Sequence, residues 1–189
     1  MDSPFLNAAA RGVASSAVRV ARFEFPYMRA SREDGRRRAP DRGPVLQESW
    51  LEAIAALGGG GRLVIGGKSL GGRIASMVAD EAAVRGLVCL GYPFHPPGRP
   101  EKLRTKHLET LRTPALIVQG TRDVFGGREE VAAYRLSPSI RILWIEDGDH
   151  SFKPPARSGR TAAQNLDEAI AAVREFIEGL GFLFRAAGR

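Results

Sequence analysis

The chain has 189 residues, 43% of them apolar, a size and composition that suit one domain with a real core. No apolar run reaches the roughly 20 residues that span a bilayer, and the opening Met1-Asp2-Ser3-Pro4 lacks the basic-then-apolar layout of a secretion signal. The formal charge is +7, and a single cysteine, Cys89, excludes an internal disulfide, which fits a cytoplasmic protein.

Ser3 and Pro4 read as the N-cap and first residue of a helix in which Phe5, Ala9 and Val13 share a face. Val18 to Phe25 reads as a strand, ended by Pro26. Residues 29–44 are rich in Arg, Gly and Pro and read as a polar loop. Val45 to Leu57 reads as a helix, stopped by glycines 58–61. Arg62 to Gly66 is a second strand, and Leu70, Ile74, Met77 and Val78 mark the next helix. A third strand, Gly86 to Leu90, carries Cys89 as a buried residue. It is followed by a Pro-rich loop, Tyr92 to Pro100, and a short helix near 101–112. Ala115 to Gln119 and Ile140 to Ile145 are further strands, separated by a helical stretch from Arg128 to Tyr134. Thr161 can cap a last helix in which Leu166, Ile170, Val173 and Ile177 align, and the tail Phe182-Leu183-Phe184 is apolar enough to pack back on the body. Apolar strands alternating with helices predict an α/β fold: one domain over residues 1–189, with a mostly parallel sheet flanked by helices on both faces.

The positive charge is densest at Arg29, Arg32, Arg36, Arg37, Arg38 and Arg42. Gly35, Pro40, Gly43 and Pro44 interleave with them, and Tyr27 is the one aromatic nearby. A solvated loop is the plainer reading, and a polyanion-binding surface the sharper one.

Chemistry concentrates at Gly66-Gly67-Lys68-Ser69-Leu70-Gly71-Gly72-Arg73. A phosphate-binding P-loop would need glycine at position 62, which is Arg62. Gly67-Lys68-Ser69-Leu70-Gly71 does fit G-x-S-x-G between a strand and a helix, the context in which that motif presents a nucleophilic serine. Glycines 67 and 71 suit so sharp a turn, and the Leu70 amide at the helix start can donate to a developing oxyanion. A serine nucleophile needs a base, and the base needs an orienting acid. Asp123 lies just past the fourth strand and His150 just past the fifth, in the order acid then histidine. His95 and His107 are the competing histidines, though neither follows a late strand. Glu146, Asp147 and Asp149 are the competing acids, all in the turn that precedes His150.

The stretches MDSPF (1–5), RVARFEFPYM (19–28), GGKSLGGRIASMVA (66–79), CLGYPFHPPGRPEKLR (89–104), LIVQGTRDVFG (116–126) and GDHSFKP (148–154) span nearly the whole chain. In them the sequence resembles the α/β-hydrolase fold and, within it, the dienelactone-hydrolase-like group. Within that group it looks like the family of testis-expressed protein 30 and subunit 3 of the NSL histone acetyltransferase complex, in its small bacterial form. The resemblance implies Ser69 as nucleophile, Asp123 as acid and His150 as base. The family's substrates are largely undefined, and some members are scaffolds. In this fold a strand ending in a loop of the type His-Gly-Ala-Gly precedes the first helix and supplies a second oxyanion donor. Here that strand would lie before Met1, between the 18–25 and 62–66 strands in space. The expectation is an N-terminally truncated hydrolase fold in which Met1 is internal to a longer chain, or else a short form whose open slot closes up or recruits another copy.

The expected activity is that of a serine hydrolase on a small-molecule ester or related acyl substrate, with Lys68, Tyr92 and Phe94 bordering the pocket, although core packing explains Tyr92 and Phe94 equally well. No cofactor, metal or membrane is implied, because no His, Cys and carboxylate cluster has ligand spacing, and nucleic acid is the weaker partner reading. The alternative is a catalytically impaired member of the fold that serves as a binding or scaffold module.

Overall fold

The computed structural model describes residues 3–15 and 17–181. The described chain runs α1 (Pro4–Val13), α2 (Pro26–Asp34), α3 (Gly43–Ala56), β1 (Val64–Lys68), α4 (Leu70–Val78), β2 (Gly86–Leu90), β3 (Ala115–Gly120), α5 (Arg128–Ala132), β4 (Ile140–Ile145) and α6 (Ala162–Gly179). Single 3-10 turns occupy Gly60–Arg62 and Lys106–Thr110, the second where the sequence predicts a short helix. The four strands lie in the order β1-β2-β3-β4, all parallel.

The sheet is covered on both faces, and strand alternation decides which side chain goes where. Leu87, Cys89, Ala115 and Ile117 join Ile74 and Val78 of α4 and Leu46, Trp50 and Ile54 of α3 in one core. Val88, Leu116, Val118 and Ile145 join Ala169, Val173 and Ile177 of α6 in the other, with Phe5 and Val13 of α1 packed against them. Every residue of β3 is buried, whereas β1 is mostly half-buried. β3 is thus an interior strand covered on both faces, and β1 lies at an edge.

Two sequence expectations fail at that edge. Residues 18–25 form no strand; among the described residues β1 is paired with β2 alone. A strand is stable only with a ladder partner, and Val18 to Phe25 has none beside it. The segment instead passes from one face to the other: Val18 packs against the α1/α6 core, and Phe23 and Phe25 pack against the α3/α4 core. Phe23 meets Trp50 edge-on, with centroids 4.7 Å apart. The second failure is the predicted 29–44 loop, whose first part is α2, started by Pro26 and closed by Gly35 at φ 68°. Ser3 stands at the N-cap of α1, but its side chain makes no capping bond. Thr161 does cap α6, in a reciprocal box with Gln164. The predicted packing of Phe182 to Phe184 lies outside the described residues.

Candidate active site

The strand-to-helix turn after β1 places Ser69. Its N–H continues the ladder by donating to the Leu90 carbonyl at 3.1 Å, and its own carbonyl accepts from Arg73 in α4. Between these bonds the residue adopts φ 52°, ψ −119°, a conformation that non-glycine residues rarely take. The turn is tight on one side only. A Cβ on Gly67 would lie 2.7 Å from the Gly71 carbonyl carbon, while one on Gly71 would meet nothing within 4 Å. The motif's first glycine is therefore required by close approach, and the expectation that the second is required sterically is not met. Leu70 begins α4, where first-turn N–H groups have no intrahelical acceptor, so its amide is free to serve the site.

Asp123 and His150 arrive from the loops after β3 and β4. His150 Nε2 lies 2.9 Å from Ser69 Oγ, and His150 Nδ1 lies 2.8 Å from Asp123 Oδ2. Three donors converge on the Asp123 carboxylate: His150 Nδ1, Gln119 Nε2 at 2.9 Å and the Phe125 amide at 2.9 Å. An acceptor facing Nδ1 fixes the tautomer that leaves Nε2 free to accept from the serine hydroxyl. The Asp123 side chain is fully buried and His150 is 21% exposed, so the acid is sealed and the base can reach a substrate. Phe125 packs its ring 4.3 Å from the imidazole.

The competing residues are occupied elsewhere. His95 Nδ1 lies 2.8 Å from the Pro96 carbonyl, and the ring is buried. His107 pairs with Ser76 Oγ at 2.8 Å, and burial, aided by the charge of Arg73, pushes its pKa down to about 4. Glu146 pairs with Arg128, Asp147 accepts from Ser158, and Asp149 accepts from the amides of Ser151 and Lys153. The last two bonds shape the turn that carries His150.

Of the three expected pocket residues, burial favours core packing for two. Tyr92 and Phe94 are 0% exposed, so neither side chain can border a substrate. Their rings pack at a tilt with centroids 4.8 Å apart, and the Tyr92 hydroxyl donates to the Arg104 carbonyl. Lys68 is half-buried, with Nζ donating to the His150 carbonyl. Burial brings its pKa down to about 8, against the opposing pull of Asp123 and Asp149.

Gln119 escaped the sequence reading. It is fully buried: Oε1 accepts from the Tyr92 amide at 2.7 Å, while Nε2 faces the Tyr92 and Gly126 carbonyls and Asp123. It braces the acid loop against the loop after β2. A polar residue closing an otherwise apolar strand was the available signal.

The arginine cluster borders a separate open cavity of about 450 Å³, lined by Tyr27, Met28, Arg32, Arg37 and Arg38. Arg32 pairs with Glu24 and Arg38 with Asp34, which mutes its charge. None of Ser69, Asp123 or His150 lines it.

A parallel sheet that presents a serine at a strained strand-to-helix turn, with an acid and a histidine from later strand ends, has the plan of the α/β hydrolases. The family model of the alpha/beta hydrolase domain matches residues 1–178, and the chain belongs to that family. Among solved structures, a putative hydrolase of the alpha/beta superfamily from Xanthomonas campestris is similar at 24% identity and TM-score 0.61, over 92% of this chain and 91% of that one. The esterase domain of a Rhodothermus marinus protein is similar at 17% identity and TM-score 0.57, over 92% of this chain and 81% of that one. An alpha-beta serine hydrolase homologue from Coxiella burnetii is similar at 19% identity and TM-score 0.51. There the match covers 76% of this chain and 62% of that one, less than two thirds of its length. At these identities the likeness speaks for the fold. No helix of the described residues is long and apolar enough to cross a membrane.

Proposed function

We propose that the protein is a serine hydrolase of esters or related small acyl compounds, built as a single domain over residues 1–189 that works in the cytoplasm without a cofactor. The observation that carries this reading is the unbroken hydrogen-bonded path from Ser69 Oγ through His150 to Asp123, at 2.9 and 2.8 Å. Within the fold, the resemblance in motifs favours the dienelactone-hydrolase-like group and the family of testis-expressed protein 30.

His150 Nε2 takes the Ser69 proton as Oγ attacks the acyl carbon. Asp123 holds the imidazole and stabilises the imidazolium that forms. The Leu70 amide, at the positive end of α4, donates to the oxyanion. His150 then gives its proton to the leaving alcohol. A water activated by the same nitrogen attacks the acyl-enzyme and releases the acid. An esterase domain of the same fold supports the choice of acyl substrate.

One observation favours a second reading, a catalytically impaired binding or scaffold module. The outer edge of β1, which carries the nucleophile turn, has no strand beside it among the described residues. In the reading of motifs, a strand there would bring the second oxyanion donor, whose loss costs on the order of 10²–10³ in rate. Turnover of p-nitrophenyl acetate and butyrate separates the two. We expect slow turnover that Ser69→Ala abolishes. Equal rates with and without the Ser69 hydroxyl would count for the binding module.

A further inference from the structure

We propose that Lys68 is a positioning residue for this reaction, its side-chain nitrogen tying the base to the nucleophile from outside the serine, histidine and aspartate path. The inference rests on the reading of Ser69 as nucleophile. Lys68 is the last residue of β1, and its peptide bond leads directly into Ser69. Its side chain crosses to the loop after β4 and donates from Nζ to the backbone carbonyl of His150. Residue 68 is thus bonded covalently to the nucleophile and by hydrogen bond to the base. Together with the contact between Ser69 Oγ and His150 Nε2, these links form a closed ring.

The surroundings make the tie specific. The Phe5 ring of α1 lies 5.5 Å from Nζ and offers its face to the cation. Gly91 closes the corner from the end of β2: a Cβ there would sit 2.8 Å from the His150 carbonyl oxygen, 3.1 Å from Lys68 Nζ and 3.2 Å from His150 Nδ1. The backbone at Gly91 has φ 66°, so glycine satisfies both conformation and space. The charges facing the ammonium are Asp123, from the loop after β3, and Asp149, from the loop after β4. Elsewhere the His150 loop is anchored by Asn165, whose Nδ2 donates to the Glu146 and Phe152 carbonyls. At His150 itself the main-chain anchor is Lys68.

A charged donor makes a hydrogen bond about twice as strong as a neutral one. Burial brings the Lys68 ammonium within reach of mild alkali, its pKa lying at about 8. The tie therefore weakens as pH rises through that value, and the base is less well held. A misplacement of the order of 1 Å at such a base costs up to about a hundredfold in rate.

The test is the rate of fluorophosphonate labelling of the intact protein between about pH 6 and pH 10, a range that brackets the ammonium titration. Wild type, Lys68→Met and Lys68→Gln are compared, with melting curves to confirm folding. We expect wild-type labelling to fall above about pH 8. Lys68→Met labels roughly ten- to a hundredfold more slowly at neutral pH, through the maximal rate rather than probe binding, and shows no alkaline fall. Lys68→Gln keeps an N–H donor, so it lies between the two and also lacks the fall. If the Met variant does not fold, the Gln variant and the wild-type profile decide. A folded Lys68→Met or Lys68→Gln that labels at the wild-type rate, with the alkaline fall intact, overturns the proposal while leaving Ser69 as nucleophile. An unlabelled wild type at every pH overturns both.

Discussion

Ser69 is one of four non-glycine residues held at positive φ among the described residues, with Ala83, Asp147 and Phe152. Two of the others, Asp147 and Phe152, flank the His150 turn, so strain gathers where the proposed chemistry lies. Such a backbone costs about 1–3 kcal/mol. Glycine relieves it and alanine does not, so we expect Ser69→Gly to be more stable than Ser69→Ala by about 1 kcal/mol, read from urea midpoints, with both inactive. The acid is the second residue-scale case. Asp123→Asn keeps the shape but presents a donor to His150 Nδ1, which favours the wrong tautomer. We expect ester turnover to fall by about 10⁴ with little change in melting temperature. The residue types and their order singled out Ser69, Asp123 and His150, side chains that the fold brings within hydrogen-bond distance of one another. At Tyr92 and Phe94 the sequence leaves pocket lining and core packing equally open, because an aromatic in a loop after a strand gives no sign of whether it faces the site or the core. Gln119 and Lys68 act through contacts 27 and 82 positions away along the chain, which no local pattern carries.

At the scale of elements, the site is three turns held by their neighbours. The first is tight against Gly67 and open at Gly71. We expect Gly71→Ala to fold and to label with a fluorophosphonate as wild type does, and Gly67→Ala to lose labelling, since its Cβ would displace the start of α4. The third turn hangs on Asn165. Asn165→Ala leaves two carbonyls, of Glu146 and Phe152, without their donor. The cost we expect is about 1–3 kcal/mol, seen as a lower urea midpoint. Four strands and the long helices were legible because their apolar periods are continuous. Residues 18–25 have the composition of a strand, but a strand is a property of a pair, and the partner is not in the local sequence. The helix α2 was hidden for the opposite reason: its arginines and the glycine and prolines that follow carry loop composition, and only Pro26 and Gly35 mark its ends.

For the molecule as a whole, the two cores lock β2 and β3 between α3/α4 and α1/α6, and the candidate site sits past the carboxyl ends of β1, β3 and β4. Half-buried His107 links the α3/α4 core to pH. Its folded pKa, about 4, lies below the unfolded value of 6.5, so the unfolded chain binds the proton first. Stability from this group is therefore full above pH 6.5 and is lost as pH falls toward 4. We expect the melting temperature to drop more between pH 7 and pH 4.5 in wild type than in His107→Gln, which keeps a donor to Ser76 but cannot titrate. The central claim is that Ser69, His150 and Asp123 act as one relay. Mass spectrometry of the fluorophosphonate-treated protein tests it most directly. One adduct on the peptide carrying Ser69, absent in Ser69→Ala and strongly reduced in His150→Ala, is the result expected. An adduct on another residue, or none under conditions where the protein is folded, would contradict it.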